Sequence, residues 1–237
     1  SEAACYASTE LAVRLAKEHG ARLHVLHLTT ARELAFFAAG PVKDKQITVE
    51  ACVHHLYFDE RSYAARGADI KCNPAVKRAE DRVALVAAVK AGIIDVVATD
   101  HAPHTREEKD RSYFKAPSGL PLVQHALPML LTLAARGELS LFDVVERTSH
   151  NVARLFGVQE RGFIREGAYA DLALIDPDQS FRVSRDSVRY HCGWSPLEGD
   201  TLTGQVEATW VNGDKVYDGG VLQPAPKGQR LRFASRF

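Results

Sequence analysis

Six side chains in this 237-residue sequence could bind a metal or move a proton, and they share one kind of place. His27 ends the strand-like part of "ARLHVLHLTT", His54 and His55 close "QITVEACVHH", and Asn73 stands before the proline in "DIKCNP". Asp100 closes "IIDVVATD", with His104 four residues later in "DHAPHTREEK". Imidazole nitrogen and carboxylate oxygen are the donor types that hold zinc. A carboxylate at the end of an apolar run is costly to bury unless it is paired or ligates a metal. Taken singly, each histidine reads as well as a packed or hydrogen-bonded residue. Taken together, His27, His54 and Asp100 form a candidate ligand set.

The runs that carry these residues explain why they would meet. Four strand-like segments alternate with helical patterns at "EAACYASTELAVRLAKEHG", "ARELAFFAAG" and "RAEDRVALVAAVKAG". The spacing predicts βαβ units and a parallel sheet. Asn73-Pro74 is expected to stop the third strand, because proline biases its predecessor away from helix. In parallel α/β architectures, ligands sit at the carboxyl ends of the strands. Topology alone would therefore gather residues far apart in sequence. His24 is three residues from His27, so alternation along a strand turns it to the other side; it reads as structural.

After Asp100 comes a long polar loop from His101 to Gly119, a length usually associated with function. Within it, His101 reads as a loop hydrogen-bonding residue, "TREEKDR" as a solvated face, and Gly119 as a turn where backbone could approach a ligand. "LPLVQHALPMLLTLAARG" and "LSLFDVVERTSHNVARLFG" read as two further helices. The character then changes to β runs split by glycine, Asp-Pro and Asn-Gly turns. This divides the chain into residues 1–157 and a small β unit with a tail, 158–237.

Composition excludes several classes. Lys and Arg total 30 and Asp and Glu total 30, which leaves no basic footprint for nucleic acid or an anionic membrane. No apolar run reaches a membrane span, and no signal peptide opens the chain. The four cysteines are scattered without a CxxC pair, against thiol zinc knuckles and a disulfide framework. A cytoplasmic location is the expectation. The chain opens on Ser1 and enters a helical pattern at once, which reads as a start within a domain.

"HVLHLTT", "VEACVHHLYF", "KCNPAVK", "VVATDHAPHTREEK" and "KAPSGLPLVQHALP" resemble, in order and spacing, the dihydroorotases of the cyclic amidohydrolase superfamily. "GFIREGAYADLALID" and "RYHCGWSPLEG" resemble the segments that follow in those enzymes. The resemblance implies the C-terminal half of a metal-dependent (β/α)8 barrel, strands equivalent to the fifth through eighth, plus a small β domain. It implies His27 and His54 as ligands of a second zinc and Asp100 as a ligand of the first and the proton shuttle. Asn73, His104 and the backbone at Gly119 are implied as substrate contacts. The implied activity is reversible zinc-dependent cyclisation of N-carbamoyl-L-aspartate to L-dihydroorotate, a step of pyrimidine biosynthesis.

The departures are specific. The family's His-x-His pair and its bridging carboxylate, a carboxylated lysine or an aspartate, have no counterpart here. An upstream half or another chain would have to close the barrel, and a homo-oligomer is compatible with that. "NPAVK" departs from the commoner Asn-Pro-Pro-Leu-Arg, and Val53 stands where proline is usual. The alternatives are another cyclic amidohydrolase acting on hydantoins, dihydropyrimidines or allantoin, or a non-catalytic barrel homologue serving as an assembly partner.

Overall fold

The first strands assemble as their apolar patterns require. In the computed structural model, which describes residues 1–224 and 228–234, β1 (Leu23–Val25), β2 (Ile47–Cys52) and β3 (Val96–Ala98) form a parallel sheet in the order β1-β2-β3. Leu23 pairs with Ile47 and Val25 with Val49; Glu50 pairs with Val96 and Cys52 with Ala98. β2 is the central strand, and Val49, Ala51 and Cys52 are fully buried. Such a strand reads as a continuous apolar run, because both of its faces are covered.

Helices cover the sheet. Glu2–Glu18 begins at Ser1, whose hydroxyl accepts the Ala4 N–H at 3.3 Å, and has Lys17 in its last turn. Both features suit the helix dipole. Ala79–Lys90 buries Leu85, Val86 and Val89 but exposes Val83, so its apolar residues are not confined to one face. Its Asp81 carboxylate accepts the Arg78 and Ala31 N–H groups, pinning the helix start to the turn after β1. The segment expected as a helix at 31–40 is a 3-10 helix, Ala31–Phe36.

The third expected strand does not form. Gly67–Ile70 is a 3-10 turn, and the chain from Lys71 through Lys77 runs outside any strand. The backbone explains this. The Lys71 N–H turns back to Ala68, the Lys71 carbonyl is taken by the Gly119 N–H at 2.8 Å, and Pro74 has no N–H to give. β2 and β3 pair directly instead.

The later helices also differ from expectation in detail. The first begins only at Ala126 and runs to Ala135. The second is Leu141–Val145, a π turn at Glu146–His150, then Asn151–Phe156. Beyond it, β4 (Leu172–Arg182), β5 (Thr201–Val211), β6 (Asp214–Asp218) and β7 (Val221–Leu222) form an antiparallel sheet in that order. Asp176-Pro177 was expected to split β4, yet the strand continues through it. The register shifts between Asp176 and Ser180, and the Asp176 carboxylate accepts the Asp178 and Gln179 N–H groups that the ladder loses. Residues 225–227 and 235–237 of the expected tail lie outside the described residues.

Helix Ala126–Ala135 joins the two sheets. The Thr132 hydroxyl donates to the Thr203 carbonyl and accepts the Thr203 N–H at 2.9 Å. A Cβ at Gly204 would stand 2.3 Å from Leu131, so only glycine allows this approach. Val183, Leu197 and Leu202 share one apolar cluster with Val49, Leu56 and Met129.

Away from the strand ends, Lys45 donates to Asp95 at 2.7 Å, and the other Asp95 oxygen accepts the Val49 N–H. Burial raises the Asp95 carboxyl, with Lys45 opposing. Removing one partner of such a pair strands the other charge. Asp95→Ala is expected to lower the unfolding free energy by about 3 kcal/mol or more, measured by urea denaturation at neutral pH.

Candidate metal centre

β1 and β3 end in left-handed backbone. His27, two residues past β1, has φ 41°, and Asp100, two residues past β3, has φ 46°. Residues with side chains visit this region rarely and at a cost. Of the four non-glycine residues with positive φ among the described residues, two are these candidate ligands. Strain of this kind collects at functional sites. His27 is half-buried and Asp100 is exposed. The expectation of a buried carboxylate is therefore corrected: β3 stops at Ala98, and Asp100 stands on the open side of the strand end.

His54 is placed differently. β2 passes directly into the short helix Val53–Tyr57, and His54 lies in its first turn at 0% exposure. The Thr99 backbone is near, yet neither ring nitrogen makes a hydrogen bond of good geometry. Burial pushes the imidazole down to about 3, and the neighbouring His27 acts in the same direction. His54 is thus neutral at ordinary pH, with lone-pair capacity that the protein leaves unused. Neutral imidazole is the form that binds metal.

The structure adds two donors that the sequence did not single out as ligands. Cys52, His54 and His55 bring one donor atom each to within 4.8 Å of one another. The His54 and His55 rings are 4.0 Å apart. His55 is also held below its usual range, chiefly by burial, but one of its nitrogens already meets the Pro74 carbonyl at 2.9 Å. Burial pushes the Cys52 thiol up, with Glu50 and Asp100 adding to the effect. His55 already has a partner for one nitrogen, so His54 is the member of this group whose two ring nitrogens are both uncommitted. The Cys-x-His-His spacing was the available signal for it.

The three candidate substrate contacts lie along one loop system. Asn73 is exposed and shares an open cleft with His27, Lys77, Tyr113 and Ser118. His54, Asp100 and His104 are not on the walls of that cleft. His104 is half-buried and meets the Ser118 carbonyl at 3.1 Å. Gly119 is buried at φ 141°, and a Cβ there would stand 2.4 Å from the Ala102 carbonyl. His101 accepts the Leu122 N–H at 2.9 Å, as a loop hydrogen-bonding residue should, and His24 meets Thr48 and Glu50 within the sheet.

An uncommitted buried imidazole beside two strained strand ends fits a divalent cation, and residues 3–216 match the model of the amidohydrolase family. The chain belongs to the amidohydrolase family. It is 41% identical over 227 residues to the dihydroorotase of Halobacterium salinarum, covering 95% of this chain and 52% of that protein. It is 34% identical over 216 residues to the allantoinase of Streptomyces avermitilis, covering 91% and 48%. Its fold matches the L-hydantoinase (dihydropyrimidinase) from Arthrobacter aurescens with a TM-score of 0.84 at 28% identity, covering 91% of this chain and 49% of that one. The chain thus spans about half the length of the relatives it matches. Amidohydrolases are generally metal-dependent, and the Cys52, His54 and His55 cluster accords with that. No helix among the described residues is long and apolar enough to cross a membrane.

Two outcomes follow from this geometry. The folded pKa of His54 lies below its unfolded value of 6.5, so the unfolded chain binds protons first on acidification. Stability present above pH 6.5 is therefore lost as the pH falls toward 3. In chelator-treated protein, denaturant melts should show this loss, and His54→Asn should reduce it. Gly119→Ala should cost about 1–3 kcal/mol by forcing a side chain into filled space, with faster amide exchange in residues 101–120.

Proposed function

We propose that the protein containing this chain is a dihydroorotase, interconverting N-carbamoyl-L-aspartate and L-dihydroorotate. The single observation that carries the proposal is the trio at the strand ends: buried His54 with free nitrogens, and His27 and Asp100 held in left-handed backbone. The similarity to the Halobacterium enzyme supports the substrate class. The parallel sheet supports a place for this chain as half of a (β/α)8 barrel, because β1 has a strand partner on one side only among the described residues. Residues outside this chain would then close the barrel and complete the ligand set. We take residues 1–157 as the barrel part and 158–237 as the β unit.

His27, His54 and Asp100 would hold the metal, with zinc the proposed ion. A bound divalent ion would polarise the amide carbonyl and make water a better nucleophile. The chain's own residues do the rest. Asp100 is exposed at the strand end and can accept the proton of the attacking water. As the C–O bond forms and the ring C–N bond breaks, that proton passes to the leaving nitrogen. His54 stays neutral throughout, since burial holds its pKa near 3. Asn73, His104 and the Gly119 backbone would orient the cyclic amide. The substrate would be a small molecule; with Lys and Arg at 30 and Asp and Glu at 30, no net positive charge draws the chain to nucleic acid.

The similarity to an allantoinase favours one second reading, a related cyclic amide as substrate. Steady-state hydrolysis of dihydroorotate, allantoin, hydantoin and dihydrouracil by the full-length protein separates the two. Dihydroorotate should have the highest kcat/KM, and a preference for any other ring would replace the proposal. Asp100→Asn should lower kcat on the preferred substrate by about 10²-fold or more, the range for loss of a general acid-base group. Near-normal turnover would remove Asp100 from the proton path.

A further inference from the structure

Lys109 lies within "TREEKDR", a run that reads as solvated, yet its side chain is 1% exposed. Thr105 and Glu108 cap each other and start a single helical turn, Arg106–Lys109, which turns Lys109 inward. No carboxylate pairs with it among the described ion pairs. Its ammonium instead donates to three backbone carbonyls: Gly119 at 3.0 Å, Pro117 at 3.1 Å and Lys71 at 3.5 Å. The Trp194 ring covers it at 5.9 Å, and the same indole N–H donates to the His104 carbonyl at 2.8 Å. From the other side, the Lys71 ammonium donates to the Tyr113 and Ala116 carbonyls.

These bonds converge on the three candidate substrate contacts. Lys71 lies two residues before Asn73, Gly119 is held through its own carbonyl, and His104 is held through Trp194. A buried ammonium without a counter-ion is expensive. Burial lowers Lys109 to about 8, with Asp69 and Cys72 opposing and Lys71 and Arg106 adding to the shift. At neutral pH the fold therefore keeps a charge that its surroundings disfavour. Local costs of this kind are found where function requires them.

We propose that Lys109 is a positioning residue for substrate: its ammonium ties the Gly119 loop to the Lys71–Asn73 segment, so that both present their polar groups to one cyclic amide. This rests on the cyclic-amide activity proposed above. Lys109 itself touches neither the metal ligands nor the ring, so it acts on substrate affinity rather than on the proton path.

The test is Lys109→Met in the full-length protein, which keeps the apolar stem and removes the three donors. KM should rise about tenfold, the size of losing a charge-assisted hydrogen bond. kcat should change much less, and zinc content should not change. An unchanged KM, or an equal loss confined to kcat, overturns the proposal. If the variant does not fold, the wild-type pH profile decides. KM should climb above about pH 8, where Lys109 loses its proton, and a flat KM up to pH 10 counts against the role. Amide exchange at Gly119, whose N–H meets Lys71, should quicken in Lys109→Met whatever the substrate. Wild-type protein inactive on every cyclic amide would overturn the proposed function. Quickened exchange would still show the tie, and unchanged exchange would remove it too.

Discussion

A histidine sealed in a protein core with neither ring nitrogen satisfied is a standing cost, about 1–3 kcal/mol for each unmet polar group. His54 is in that position. Its place follows from the backbone: β2 is buried on both faces, and the chain turns into a helix at the end of β2 without leaving the core. The neighbours at the same edge carry costs as well. His27 and Asp100 hold backbone conformations that side chains disfavour. These three costs lie at one edge of one sheet, and under the proposed function a bound cation would take up the unmet His54 nitrogens.

The rest of the fold serves that edge. The Lys45–Asp95 pair and the Asn151 side chain, which donates to the Asp95 carbonyl, fix the start of β3 and so the position of Asp100. Helix Ala126–Ala135 fastens the antiparallel sheet behind the parallel one through Thr132 and Thr203. The β4–β5 side then supplies Trp194, on the link between those strands, to cover Lys109 and hold His104. Sheet, loop and β unit thus meet through these polar contacts as well as through the shared apolar cluster.

Much of this was legible in the sequence, for physical reasons. β-branched runs mark β2 and β3, an alternating Leu-His-Val marks β1, and a parallel arrangement sets which ends carry chemistry. The placement of His27, His54 and Asp100 just past the ends of β1, β2 and β3 was legible for that reason. Other features depend on partners distant in sequence. The stretch 69–77 has strand-like residues but fails as a strand, because the Lys71 carbonyl is claimed by Gly119 and Pro74 has no N–H. Lys109 looks solvated in its charged run, and its burial rests on the carbonyls of residues 71, 117 and 119, all outside that run. Asp176-Pro177 reads as a turn, yet a bulge absorbs it. The exposure of Asp100 depends on where β3 stops, which the apolar pattern does not mark.

The central claim is that His54, His27 and Asp100 together hold metal, and the position of the ion tests it most directly. Crystals of the full-length protein grown with zinc would be measured on both sides of the zinc absorption edge. The account predicts anomalous peaks bonded to the His54 imidazole, with His27 and Asp100 also in the ligand shell. A peak bonded to Cys52 and His55, with His27 and Asp100 left out, would contradict it.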